Sequence, residues 1–111
     1  MNRTRGESFL RLNVQVDDVA FELLQETSQS SGIEPATIAV MSMHYAVSGP
    51  RRRIGLRTRR EQLSIEVEVT RSFDGLLRQR GVGTAAMRGQ LVATGLQEVI
   101  EQLHRARDAE S

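Results

Sequence analysis

Arg11, Asn13 and Gln15 stand two residues apart, with Leu10, Leu12, Val14 and Val16 between and around them. The side chains are a guanidinium and two amides. Arginine pairs with guanine through two hydrogen bonds, and asparagine or glutamine pairs with adenine in the same way. Period-two alternation predicts a strand with one apolar face, its polar side chains roughly 6.5–7 Å apart on the other. Arg60, Gln62 and Ser64 repeat the arrangement around Leu63 and Ile65. Two such strands side by side would form a ribbon of the width a major groove admits. A solvated strand face uses the same residue types, so either strand alone decides nothing.

Further positions suit phosphate. All the basic side chains are arginine, and six of them crowd into residues 51–60. Arg51, Arg52, Arg53, Arg57 and Arg59 read as a solvated linker or as a polyanion contact, and local density favours the latter. Arg3 and Arg5 would add a basic arm. Thr84, with the backbone N–H groups from Gly83 to Ala85, would hold one phosphate at a helix N-terminus, or would be an ordinary N-cap.

Catalytic chemistry finds little here. His44 and His104 are far apart, and His44, on an apolar helix, reads as a packed core residue. The run Gly81-Val82-Gly83 is too short for a nucleotide loop, and the chain has no lysine. Asp17 and Asp18 are better explained by helix capping. Cysteine is absent, which excludes disulfides and thiolate metal sites. We expect no enzyme, no catalytic residue, no metal and no cofactor.

The elements that must carry these residues can be read from periodicity and punctuation. After the strand 10–16, Ala20, Leu23, Leu24 and Thr27 fall at helical spacing, with Asp17 or Asp18 as N-cap and Gly32 as the terminating glycine. Pro35 suits the first turn of a second helix, Ala36–Val47, which is apolar nearly all round and so must be buried on more than one side. The chain has 111 residues and only 4% aromatics, so Leu, Val, Ile and Met must fill the core. Two units of about 45 residues would be marginal alone and would gain by intertwining.

The second half repeats the first. At an offset of 49, without gaps, Val16 falls on Ile65, Leu24 on Phe73, Gly32 on Gly81, Ile33 on Val82 and Val47 on Leu96. In this register Val69, Phe73, Leu76 and Leu77 form one helical stripe, and the aligned glycines favour it. The alternative is a longer second strand through Val69 and a short helix near Ser72–Arg80. The last helix carries Met87, Leu91, Val92, Leu96, Val99, Ile100 and Leu103 to about Arg107. Gly89 and Gly95 lie inside it and cost about 1 kcal/mol each against alanine, which is tolerable where another backbone comes close.

The run RLNVQVDD, the pair Leu23–Leu24 and SGIEPATI opening the second helix resemble the ribbon-helix-helix (Arc/MetJ-like) family of DNA-binding proteins. QLSIEV and RGVGTAAM in the second half are similar to the same strand and turn. Two copies in one chain look like the tandem members of the family, such as the TraY-type proteins of conjugative plasmids. The resemblance implies a mainly α fold with a short β-ribbon, built from two β-α-α units. It is consistent with base contacts from Arg11, Asn13, Gln15, Arg60, Gln62 and Ser64 and implies phosphate contacts near Gly83 and Thr84; the local arginine density adds Arg51, Arg52 and Arg53 as phosphate contacts. Two features depart from the family. Glu34, where the second helix begins, would repel phosphate. Glu66 and Glu68 would share the groove face if the second strand is long.

The organisation expected is a flexible basic arm (1–8), a first unit (9–48), an arginine-rich linker (49–59) and a second unit with an extended last helix (60–108). The function expected is sequence-specific binding of double-stranded DNA, as a transcriptional repressor or relaxosome accessory protein. The rival is a protein-interaction module or antitoxin whose C-terminal half takes a protein partner. Self-association is expected, as a pseudo-dimer within one chain or as a homodimer. The N-terminus shows no signal-peptide pattern and no apolar run approaches the ~20 residues of a membrane span, so a cytoplasmic protein is expected.

Overall fold

The structure is a computed structural model that describes residues 8–49 and 62–110. It is mainly helical, with one two-stranded antiparallel sheet among the described residues. In chain order the elements are β1 (Phe9–Asp17), α1 (Asp18–Ser31), α2 (Pro35–Ser48), β2 (Gln62–Thr70), α3 (Arg71–Gln79) and α4 (Ala85–Glu110). Strand β1 pairs with β2 along its whole length, Leu10 opposite Val69, Asn13 opposite Glu66 and Val16 opposite Leu63. Val14, Val16, Val67 and Val69 are buried against the helices, while the alternate residues face outward. The alternation of the sequence is thus translated directly into an apolar and a polar face.

Punctuation residues set the ends of the elements. The Asp17 carboxylate accepts a hydrogen bond from the Ala20 N–H at 2.8 Å, and the Thr70 hydroxyl accepts one from the Phe73 N–H at 3.1 Å. Each satisfies an N–H that the first helical turn leaves without a partner. Gly32 ends α1 at φ 79° and Gly81 follows α3 at φ 80°, left-handed conformations that cost other residues roughly 1–2 kcal/mol. Pro35 opens α2, where its missing N–H loses nothing.

Each half runs strand, helix, helix, but no single offset aligns the two. Gly32 and Gly81, and the helices after them, keep the offset of 49. The strands do not: Val14 and Val16 correspond to Val67 and Val69, an offset of 53, with identical burial patterns along both strands. Ala20 and Leu24, buried in α1, likewise correspond to Phe73 and Leu77 in α3. Val69 is therefore a strand residue, not the start of a helical stripe, and the short-helix alternative describes α3. The physical reason lies at both ends. Leu63, Ile65, Val67 and Val69 sustain period two, and Thr70 then supplies a cap that starts the helix at Arg71. Four residues, about one helical turn, are absorbed before Gly81.

The two halves interlock. Helix α4 packs on β1 and α2 packs on β2, while α2 and α4 lie against each other. Their apolar residues, among them Leu24, Ile38, Met43, Leu77, Val92 and Leu96, form one core. Gly95 sits where α4 meets α2, and a Cβ there would stand 1.9 Å from the Ser42 carbonyl oxygen. The close approach anticipated for both helical glycines is thus present. Ser42 is itself fully buried, and its hydroxyl donates to the Ile38 carbonyl at 2.8 Å, so no polar atom of it is wasted. Helix α4 runs to Glu110, and the Arg107 guanidinium donates to the Ser30 carbonyl at 3.1 Å, tying its end to α1. His44 is not a core residue. It lies on the exposed side of α2 with its ring stacked on the buried Phe73, centroids 3.8 Å apart.

Candidate nucleic-acid interface

The outward face of the ribbon presents Arg11, Asn13 and Gln15 from β1 beside Gln62, Ser64, Glu66 and Glu68 from β2, all exposed. Gln15 stands opposite Ser64, Asn13 opposite Glu66 and Arg11 opposite Glu68. The Arg11 Nε lies 3.6 Å from the Glu68 carboxylate, and both side chains remain more than half exposed. An exposed pair at this distance contributes little to stability, so Arg11 can be drawn to another acceptor at small cost. Five of the six residues expected to touch bases are therefore together on one surface. Arg60 lies outside the described residues, as do Arg51, Arg52 and Arg53. The longer β2 puts Glu66 and Glu68 on the same face, the departure noted above.

The two flanks of the ribbon differ. At β1, the N-terminus of α4 carries Gly83 and Thr84, both exposed. The Thr84 hydroxyl accepts from the Met87 N–H at 3.2 Å, so this residue is an N-cap. Its own O–H remains a donor, and the positive end of the helix dipole lies with it. One turn further on, the Arg88 Nε donates to the Asn13 carbonyl at 2.9 Å. Arg88, Arg78, Asp74 and Gly83 line a single shallow groove with Leu12 and Val82. Asp74 is mostly buried and pairs with the Arg78 Nε at 3.1 Å. Burial holds the Arg88 guanidinium below its ordinary pKa, and the nearby Asp74 charge works against that shift. Arginine starts so high that it remains a cation throughout the working range. At β2, by contrast, α2 begins at Glu34, whose side chain caps nothing. Glu34 shares a groove with Glu66, Glu68 and Phe9, the last 60% exposed. One flank is thus cationic, at the Thr84-capped start of α4, and the other is acidic with an exposed aromatic ring.

Arg78, Asp74 and Arg88 were not singled out from the sequence. For Arg88 there was a usable signal: four residues after Thr84 on one helix, it had to lie on the face of the cap. No such signal marked Asp74, whose place depends on how α3 meets the ribbon. Among the described residues, no group of His, Asp and Glu side chains is placed to hold a metal ion. No described helix is long and apolar enough to cross a membrane.

No family model matches the chain, and no curated protein or solved structure matches it either.

Proposed function

We propose that the chain binds double-stranded DNA sequence-specifically, laying the β1–β2 ribbon into the major groove as two ribbon-helix-helix units joined in one polypeptide. One observation carries the reading: Arg11, Asn13 and Gln15 share the exposed face of a paired strand whose other face is buried. A two-stranded ribbon matches the major groove in width, and these side chains offer the donors and acceptors that read purine edges. Because β1 pairs with β2 of the same chain, one polypeptide supplies the whole ribbon. Gly83, Thr84 and Arg88 stand beside the ribbon where a backbone phosphate would pass. In this reading the protein acts in the cytoplasm as a repressor or a relaxosome accessory protein.

The test is a gel shift with duplex DNA taken from upstream of the protein's own gene, across a range of salt. Binding should fall steeply as salt rises. Replacing Arg11 and Asn13 together by alanine should cost about 1–3 kcal/mol per lost base contact. Unaltered binding by the double variant would refute the groove reading.

A second reading is favoured by the acidic flank. Glu34, Glu66 and Glu68 around exposed Phe9 suit a protein partner with a basic, apolar segment; the C-terminal half supplies Glu66 and Glu68, so the toxin of an antitoxin-like chain would also touch Phe9 and Glu34 of the first half. It predicts no retention of the chain on a polyanion column at low salt.

A further inference from the structure

The ribbon has an internal twofold relation, and only its inward face respects it. Counterparts in the two strands are 53 residues apart, and Asn13 is paired with its own counterpart, Glu66. An approximate twofold axis therefore passes between these two residues. Facing inward, valine answers valine in both buried pairs of counterparts. Facing outward, every counterpart differs in chemistry: Arg11 answers Ser64, Asn13 answers Glu66 and Gln15 answers Glu68. The flanks differ in the same sense, with Thr84 and Arg88 beside β1 and Glu34 where α2 begins beside β2.

A ribbon made of two identical strands is satisfied best by a palindrome, because each half presents the same donors and acceptors. Turn this ribbon about its axis and an arginine is replaced by a serine, and two amides by two carboxylates. An amide both donates and accepts, whereas an ionised carboxylate only accepts. Its base partner in the major groove is the N4 amino group of cytosine. The two orientations of one duplex are therefore not equivalent to this face.

We propose, resting on the groove reading above, that the chain recognises a non-palindromic duplex in one orientation and that Glu66 sets that orientation. The β1 half lies over purine edges, Glu66 accepts from a cytosine amino group near the centre of the site, and phosphate is held on the α4 flank rather than the α2 flank. Glu66 is a specificity-determining residue in this scheme, placed beside Asn13 so that one paired position reads two different bases.

The experiment is selection from random-sequence duplexes with the full chain, followed by gel shifts on the recovered site and on two palindromes made by duplicating its left or right half. The recovered sequence should be asymmetric, and both palindromes should bind about tenfold more weakly or worse, the factor for one lost base contact. Glu66→Gln should lose the cytosine preference at one position and keep the rest of the site. A palindromic consensus, a palindrome that binds as well as the selected site, or an unchanged preference in Glu66→Gln would overturn the proposal and leave groove binding standing. Failure to enrich any sequence, with the chain folded by circular dichroism, would overturn groove binding and this proposal together.

Discussion

Gly89 stands against the carbonyl of Gln15 so closely that a Cβ built on it would lie 1.6 Å from that oxygen. Helix α4 and the edge of β1 therefore meet backbone to backbone, with the Arg88 guanidinium on the Asn13 carbonyl beside them. The contact ties the last helix of the second half to the first strand of the first. It also fixes the height at which the ribbon stands above the helices.

Gly89→Ala cannot be absorbed by a side-chain rotation, because the obstructing atoms are backbone. We expect a loss of about 1–3 kcal/mol from forced displacement, read as a lower urea midpoint. Gly75→Ala is the matched control: nothing lies within 4 Å of a Cβ there, and the residue is inside helix α3. It should gain about 0.5–1 kcal/mol from helix propensity. Equal effects of the two changes would mean that α4 does not seat on β1 in this way.

Across the ribbon, Glu68 would compete with DNA for Arg11 under the proposed groove reading. Glu68→Gln removes a carboxylate from the outward face of the ribbon and frees the guanidinium, which sits 3.6 Å from it. Affinity for random duplex should rise a few-fold, with a steeper salt dependence. Stability should change by less than about 0.5 kcal/mol, because the pair is exposed. A fluorescence-anisotropy titration at two salt concentrations checks both. Weaker binding by the variant would show that Glu68 makes a favourable contact of its own.

His44 gives the fold a pH dependence of definite sign. Partial desolvation of the imidazole, stacked on Phe73, lowers its pKa from the ordinary 6.5. The folded state then binds fewer protons than the unfolded chain just below pH 6.5, so stability falls with falling pH there. The contribution is complete above the unfolded pKa and is lost as pH drops through the folded one. His44→Phe keeps a ring on Phe73 but cannot titrate. Urea midpoints at pH 7.5 and 5 should differ less for the variant than for the parent chain. An identical difference in both would assign the pH dependence to other groups.

Much of this was legible because local signals agree. In the first half the alternation ends at Val16, Asp17 or Asp18 caps, Gly32 terminates and Pro35 restarts; only the choice between the aspartates waits for the structure, where Asp17 accepts from Ala20. The second half was harder at one residue. Val69 lies two after Val67 and four before Phe73, so it satisfies both periods. What decides is its pairing with Leu10, a contact distant in sequence that no local window contains. The same holds for the interface. Arg11, Asn13 and Gln15 could be placed on one face from β1 alone, and Glu34 against Gly83 and Thr84 already marked the two helix starts as different, whereas the strand each start lies beside is set only when α4 packs on β1 and α2 on β2.

Asp74 separates stability from binding most sharply. Its side chain is only 12% exposed, and it holds the Arg78 Nε at 3.1 Å in the groove that Arg88 and Gly83 share. Asp74→Asn removes a charge-assisted hydrogen bond, so we expect a loss of about 1–3 kcal/mol on urea unfolding. The same change removes the one carboxylate that the described residues place in that groove, leaving two guanidinium groups beside a helix N-terminus. Any phosphate passing there meets a more positive field, so affinity for duplex at low salt should rise while stability drops. Opposite signs in the two measurements on one variant are the expectation. If both fell together, with the variant still folded in the binding buffer, the proposed passage of phosphate along the α4 flank would be refuted.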